Sequence, residues 1–179
     1  MKMNPWIAAF CIAGFIQLQG GTNVTDQQVA LNSRVITQVG IIVKDIDKTT
    51  KAWAELLGVT TPQWFLTDPA EIAHTTYRGQ PTPAQAKLAF FDLGQVQLEL
   101  IEPVGGPSTW KDFLDQKGEG VHHIAFAIRD MDGQIRVLDK LGMPAVQRGD
   151  YTGGRYGYIA SESKMGIALE LLENFSEKK

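Results

Sequence analysis

The chain has 179 residues, 44% of them hydrophobic and 21% charged, the composition of an ordinary globular protein of one domain or two small ones. The 17 Lys and Arg against 20 Asp and Glu leave a net charge of −3 without any polybasic block, so nothing marks a nucleic-acid partner. A single cysteine, Cys11, excludes an intrachain disulfide and a cysteine-based zinc cluster.

At the N-terminus, Lys2 precedes an apolar run from Trp6 to Ile16 that is too short for a stable membrane span. A positive start before a short apolar stretch reads as a signal peptide over residues 1–20. The expectation is an exported, extracytoplasmic protein; the alternative is an uncleaved tail on a cytoplasmic one. Residues 21–33 are polar and read as a linker.

From residue 34 onward the chain repeats itself. The run VITQVGIIV from Val35 and the run VHHIAFAI from Val121 both read as strands, and setting one over the other places His123 on Gln38 and Asp130 on Asp45. Each strand is followed by Asp residues suited to capping a helix, then by an amphipathic helix ending at Gly58 or Gly142, where a left-handed C-cap is expected. The second halves match as well. LAFFDLGQVQLELIE turns near Gly94, GYIASESKMGIALELLE turns near 163–166, and Glu99 falls on Glu170. Each unit therefore reads β-α-β-β-β, one over about 35–103 and the other over about 121–173. Between them Ser108 is placed to cap a short helix. The fold class is α+β, with the two units paired into one curved mixed sheet that encloses a cleft.

Side chains alternate along a strand. Val35, Thr37, Val39, Ile41 and Val43 share one face, matched by His122, Ile124, Phe126 and Ile128 in the second copy, and this face should pack under the helices. The other face carries Gln38, Gly40 and Ile42, or His123, Ala125 and Ala127, where small residues leave room. In LELIE and LELLE the leucines point one way, while Glu99 and Glu170 point the other. Taken singly, each polar residue is more often structural. Four at matched positions of a repeat are expected to converge on the concave face, and buried carboxylates need a partner. The reading is a divalent-metal site made by Gln38, Glu99, His123 and Glu170. By parity His122 is structural, with support of a metal ligand from behind as its alternative, and His74 is a loop residue without a repeat partner, with reaching the pocket as its minor alternative. RGDYTGGRYGY, Arg148–Tyr158, reads first as a hairpin connection, with closure of Arg155 over an anionic substrate as the minor alternative.

With these residues in view, the sequence resembles the vicinal oxygen chelate superfamily, which includes glyoxalase I, extradiol dioxygenases, bleomycin-resistance proteins and methylmalonyl-CoA epimerases. The resemblance covers about residues 34–175. QVGIIVKDIDKTTKAWAELLG, LELIEPVGGPSTWKDFLDQKGEGVHHIAFAIRDMD and IALELLE read most like the epimerase group. It implies a divalent metal in the cleft, ligands at Gln38, Glu99, His123 and Glu170, and a homodimer. Two positions depart from that group. Gln38 stands where the epimerases usually have histidine, as in glyoxalase I-like members, and the region of Lys87 and Leu88 lacks the epimerases' second catalytic glutamate.

One imidazole, two carboxylates and an amide oxygen suit an open site for Co, Mn, Ni, Fe or Mg, with Zn also accommodated. The expected chemistry is isomerisation by moving a proton on the carbon next to a carbonyl held by the metal, with Glu170 as base and Glu99 returning the proton. The expected substrate is a small molecule, either an acyl thioester or an α-hydroxycarbonyl compound. The competing readings are a glyoxalase I-like lyase acting on a hemithioacetal and a metal-free small-ligand binder. An extradiol dioxygenase would need two histidines and a carboxylate, and only His123 is placed for it.

Overall fold

The computed structural model describes residues 31–175. The leader reading of residues 1–20 and the linker as far as residue 30 lie outside them. At the linker's end the Asn32 backbone N–H donates to Gln134 Oε1 (3.1 Å) and its amide donates to the Arg129 carbonyl (2.9 Å).

The first half runs β1 (Ile36–Ile42), α1 (Ile46–Leu57), β2 (Phe65–Leu66), α2 (Ala70–Ala73), β3 (Thr76–Tyr77), β4 (Gln80–Pro81), β5 (Gln85–Asp92) and β6 (Gln97–Val104). After α3 (Thr109–Lys117) come β7 (Gly120–Ala127), α4 (Met131–Lys140), β8 (Ala145–Tyr151), β9 (Gly154–Ile159), α5 (Glu162–Met165) and β10 (Ala168–Asn174). All ten strands form one sheet in the order β2-β5-β6-β1-β7-β10-β9-β8-β3-β4. The two modules mirror each other across the central antiparallel pair β1–β7, and each then pairs parallel with its own last strand, β6 or β10. This is the expected curved mixed sheet.

The caps form where the sequence places them. Asp45 accepts from the Lys48 N–H at 2.9 Å, Ser108 from Lys111 at 3.1 Å and Asp130 from Gly133 at 3.1 Å. Gly58 (φ 67°) and Gly142 (φ 73°) take the left-handed conformation that ends α1 and α4. The turn expected near 163–166 is the single-turn helix α5, closed by Gly166.

On the convex face each module has its own core. Leu98 and Leu100 meet Ile46 and Ala54 of α1, while Leu169 and Leu171 meet Met131 and Leu138 of α4. Leu171 is fully buried, so Leu171→Ala leaves a cavity and is expected to cost about 2–5 kcal/mol, read as a lower urea midpoint at unchanged slope. A third cluster lies on the concave face, where α3 sets Trp110, Phe113 and Leu114 over Ile42, Ile101 and Tyr158 and plugs one end of the sheet.

The chain leaves the first module in a way the repeat does not foreshadow. From β2, at one end of the sheet, it crosses through residues 67–75 to β3, which pairs with β8 at the other end. So short a strap spans at most roughly 30 Å, so the two ends face each other and the sheet curls into a half-barrel under the strap. Pro69, Pro81 and Pro83 with Gly79 allow only two-residue strands here. No helix among the described residues is long and apolar enough to cross a membrane.

Candidate metal centre in the cleft

Period-two alternation sends Glu99 of β6 and Glu170 of β10 to the concave face, flanked by leucines that go to the convex cores. His123 reaches the same point from β7. Its Nε2 lies 3.0 Å from Glu170 Oε2 and 3.3 Å from Glu99 Oε2. His123 is fully buried, and Glu99 and Glu170 are buried too. These contacts are close enough for ion pairs, yet their angles do not make hydrogen bonds, and all three atoms remain without a hydrogen-bond partner. One atom from each side chain falls within 4.8 Å of the others. Buried polar atoms that point at a common centre without bonding one another are what a divalent cation satisfies. The donor set fits such an ion.

Gly40 supplies the seat for the imidazole. It stands opposite His123 across the β1–β7 pair, and a Cβ on it would lie 1.9 Å from His123 Cε1. Any side chain here would occupy the ring's place. The sequence signal was available, since a glycine inside a strand marks a close approach.

His122 departs from its expected parity. Register runs from Gly40↔His123 to Ile41↔Val121, so His122 is the extra residue of a β-bulge. It therefore does not join Ile124 and Phe126 against α4. It turns towards α3 and packs edge-on against Phe113, with ring centroids 5.3 Å apart. Its Nδ1 lies 3.1 Å from His123 Nδ1. Burial, then the charges of His123 and Lys117, drive the His122 imidazole down to about 3, so it stays neutral. A neutral His122 can accept from an Nδ1–H of His123 across this contact, which leaves His123 Nε2 aimed at the carboxylates. Burial alone would also lower His123, but Glu170 and Glu99 outweigh it and hold the imidazolium up to about 10. Burial raises Glu99 above the usual carboxylate range; His123 opposes the rise and Glu170 adds to it.

Gln38 lies on the Gly40 face of β1 and lines the cleft beside Glu99 and Glu170. Its amide Nε2 donates to Gln97 Oε1 at 2.6 Å, so Gln97 orients it. The cleft measures about 560 Å³. Leu88 and Phe90 of β5 line one wall, and Lys87 turns to the convex side to pair with Glu102 (2.6 Å).

His74 sits on the strap in a left-handed conformation (φ 46°), pairs with Asp150 at 2.9 Å and is mostly exposed. RGDYTGGRYGY forms the β8–β9 hairpin, turning at Thr152 and Gly153 (φ 86°). Arg155 does not close over the cleft, because Asp132 (2.9 Å) and Glu173 (2.7 Å) hold it on the convex side.

Residues 37–160 match the family model described as the Glyoxalase/Bleomycin resistance protein/Dioxygenase superfamily, and the chain belongs to that superfamily. It is 34% identical over 92 residues to the uncharacterized protein YqjC of Bacillus subtilis (strain 168), a match covering 50% of this chain and 66% of that protein. It is 27% identical over 145 residues to a 2-epi-5-epi-valiolone epimerase of an Actinomyces species, covering 76% of this chain and 78% of the relative. Among solved structures, the methylmalonyl-CoA epimerase of Mycobacterium tuberculosis superposes with a TM-score of 0.56 at 24% identity, over 80% of this chain and 89% of its own. A variant of the Streptomyces coelicolor methylmalonyl-CoA epimerase in complex with 2-nitronate-propionyl-CoA superposes with a TM-score of 0.55 at 24% identity, over 79% and 98%. At this identity the two structures speak for the fold.

Proposed function

We propose that the protein is a divalent-metal-dependent isomerase of the epimerase type, which moves a proton on the carbon next to a substrate carbonyl. The observation that carries the proposal is the convergence of Glu99, His123 and Glu170, buried and each with an atom lacking a hydrogen-bond partner, with the two glutamates lining a cleft of small-molecule size. These three residues would hold the ion, with the Gln38 amide oxygen as a fourth donor. When bound, a divalent ion supplies a Lewis acid that polarises a carbonyl and acidifies the neighbouring C–H.

The chain's own groups do the rest. Glu170 takes the proton, and Glu99, reaching His123 from the other module, returns one. Each carboxylate has a second oxygen besides the one turned to the imidazole, so holding an ion and handling a proton do not exclude each other. His122 keeps His123 in a single tautomer. The strap and the α3 plug limit water at the reacting carbon.

The test is solvent-deuterium incorporation. The full chain, loaded with Mn, Co, Ni, Fe or Zn, is offered a panel of carbonyl compounds in D₂O that includes an acyl thioester and α-hydroxyketones. Incorporation next to the carbonyl is expected with at least one compound, and Glu170→Gln should slow it about 100-fold or more. If metal is bound and no compound exchanges, the isomerase reading fails.

A further inference from the structure

Resting on that proton-transfer reading, we propose that the substrate is an uncharged, polyhydroxylated carbonyl compound and not a coenzyme A thioester or another anion. The charge of the cleft carries the argument. Glu99 and Glu170 lie at its floor and Asp68 and Asp150 line it further out, while no Lys or Arg is among the described residues that line it. The cationic side chains nearest in sequence are engaged elsewhere. Arg148 binds Asp132 at 2.6 Å, Arg155 binds Asp132 and Glu173, and Lys87 binds Glu102, all on the convex side. A divalent ion balances the two glutamates and leaves the two aspartates, of which Asp150 has the mostly exposed His74 of the strap as a partner at 2.9 Å. A substrate carrying phosphates or a free carboxylate would enter against them, without the guanidinium or ammonium partners that anion sites use.

The cleft's two walls say what does fit. The first module supplies an apolar wall of Phe65, Leu88 and Phe90, with the two phenylalanine rings 6.0 Å apart. The second module and the strap supply hydroxyls and an amide from Thr75, Tyr151, Thr152, Tyr156 and Asn174. Tyr151 already donates to Asn174 Oδ1 at 2.8 Å, so these groups are set in place and still offer lone pairs. A ring or chain with a C–H face and a hydroxyl edge satisfies both walls at once. An acyl chain would leave the polar wall unpaired, and an anion would face the aspartates.

The discriminating experiment offers the metal-loaded full chain two probes in D₂O, 2-keto-myo-inositol and methylmalonyl-CoA, each corrected for uncatalysed exchange. The expected result is incorporation next to the ketone of the inositol derivative, at least 10-fold faster than any incorporation into the thioester. In Asp68→Asn combined with Asp150→Asn, the gap between the probes should narrow. Exchange of the thioester at an equal or higher rate overturns the uncharged-substrate proposal and leaves the proton-transfer reading standing. If neither probe exchanges, the proton-transfer reading is judged by the wider panel, and calorimetric titration of the same two probes decides the substrate class. Binding of the inositol derivative alone supports the assigned class, and any other binding pattern overturns it.

Discussion

Metal analysis of the purified full chain is expected to return about one divalent ion per chain, and His123→Ala and Glu170→Ala are each expected to return none. In the proposed site the imidazole would be the central donor, with its Nε2 3.0 and 3.3 Å from the two carboxylates, and its loss leaves two buried acids sharing one pocket. Such acids neutralise each other by holding a proton instead of a metal. Removal of Glu170 leaves one carboxylate to balance a double charge inside a buried site. The metal-free protein carries a further signature. His123 is raised from an ordinary 6.5 to about 10, so the stability it contributes is fully present below about pH 6.5 and lost as pH rises towards 10. Urea unfolding of the metal-free parent should weaken across that window, and His123→Ala should remove this dependence. Uptake of metal expels the imidazolium proton, so affinity should rise with pH over the same range. An ion retained at full stoichiometry in His123→Ala would remove the site from this cleft.

The second large effect is expected at a residue with no side chain. Gly40→Ala places a methyl group 1.9 Å from His123 Cε1, inside the ring's own volume. Overpacking of this kind costs about 1–3 kcal/mol where the neighbour gives way. Here the neighbour is a fully buried ring held between His122 and two carboxylates. The ring must leave its place, so metal affinity should fall about 100-fold or more, as for loss of a group that orients a ligand. Folding should survive, since Gly40 has an ordinary strand conformation and the convex cores do not touch the site. Circular dichroism near that of the parent, together with lost metal, is the expected pair of readings. Parent-like metal affinity in Gly40→Ala would mean that the ring is not seated on this glycine.

The two modules, their caps and the direction of Glu99 and Glu170 were legible because each rests on a local period. LELIE and LELLE alternate strictly, and alternation in a half-buried strand has one physical meaning. His123 was placed correctly by the same parity, whereas His122, one residue earlier, was not. A β-bulge inserts a single residue and changes which face the next side chain takes, and nothing in VHHIAFAI distinguishes a bulged strand from a regular one. The Gln97 partner of Gln38 was also hidden, because register between β1 and β6 is decided by packing across the sheet. The strap escaped for a different reason. Strands of two residues, broken by prolines, are too short to show a period. The hairpin β3–β4 therefore leaves no strand signal in the sequence, and its attachment to β8 could not be seen.

That attachment makes the duplication indivisible. Each half has its own hydrophobic core and its own set of pairing strands, so by composition the chain looks separable at α3. Yet the edge of the second half is finished by a hairpin encoded in the first: Thr76 and Tyr77 pair with Arg148 and Gln147, and the Arg78 N–H donates to the Val146 carbonyl. A second half expressed alone would present β8 as a bare edge, ready to pair with any strand that meets it. A first half alone would carry a hairpin with nothing to complete. Two like units are tied together by this one-way donation of a hairpin, and the cleft exists only while both are joined.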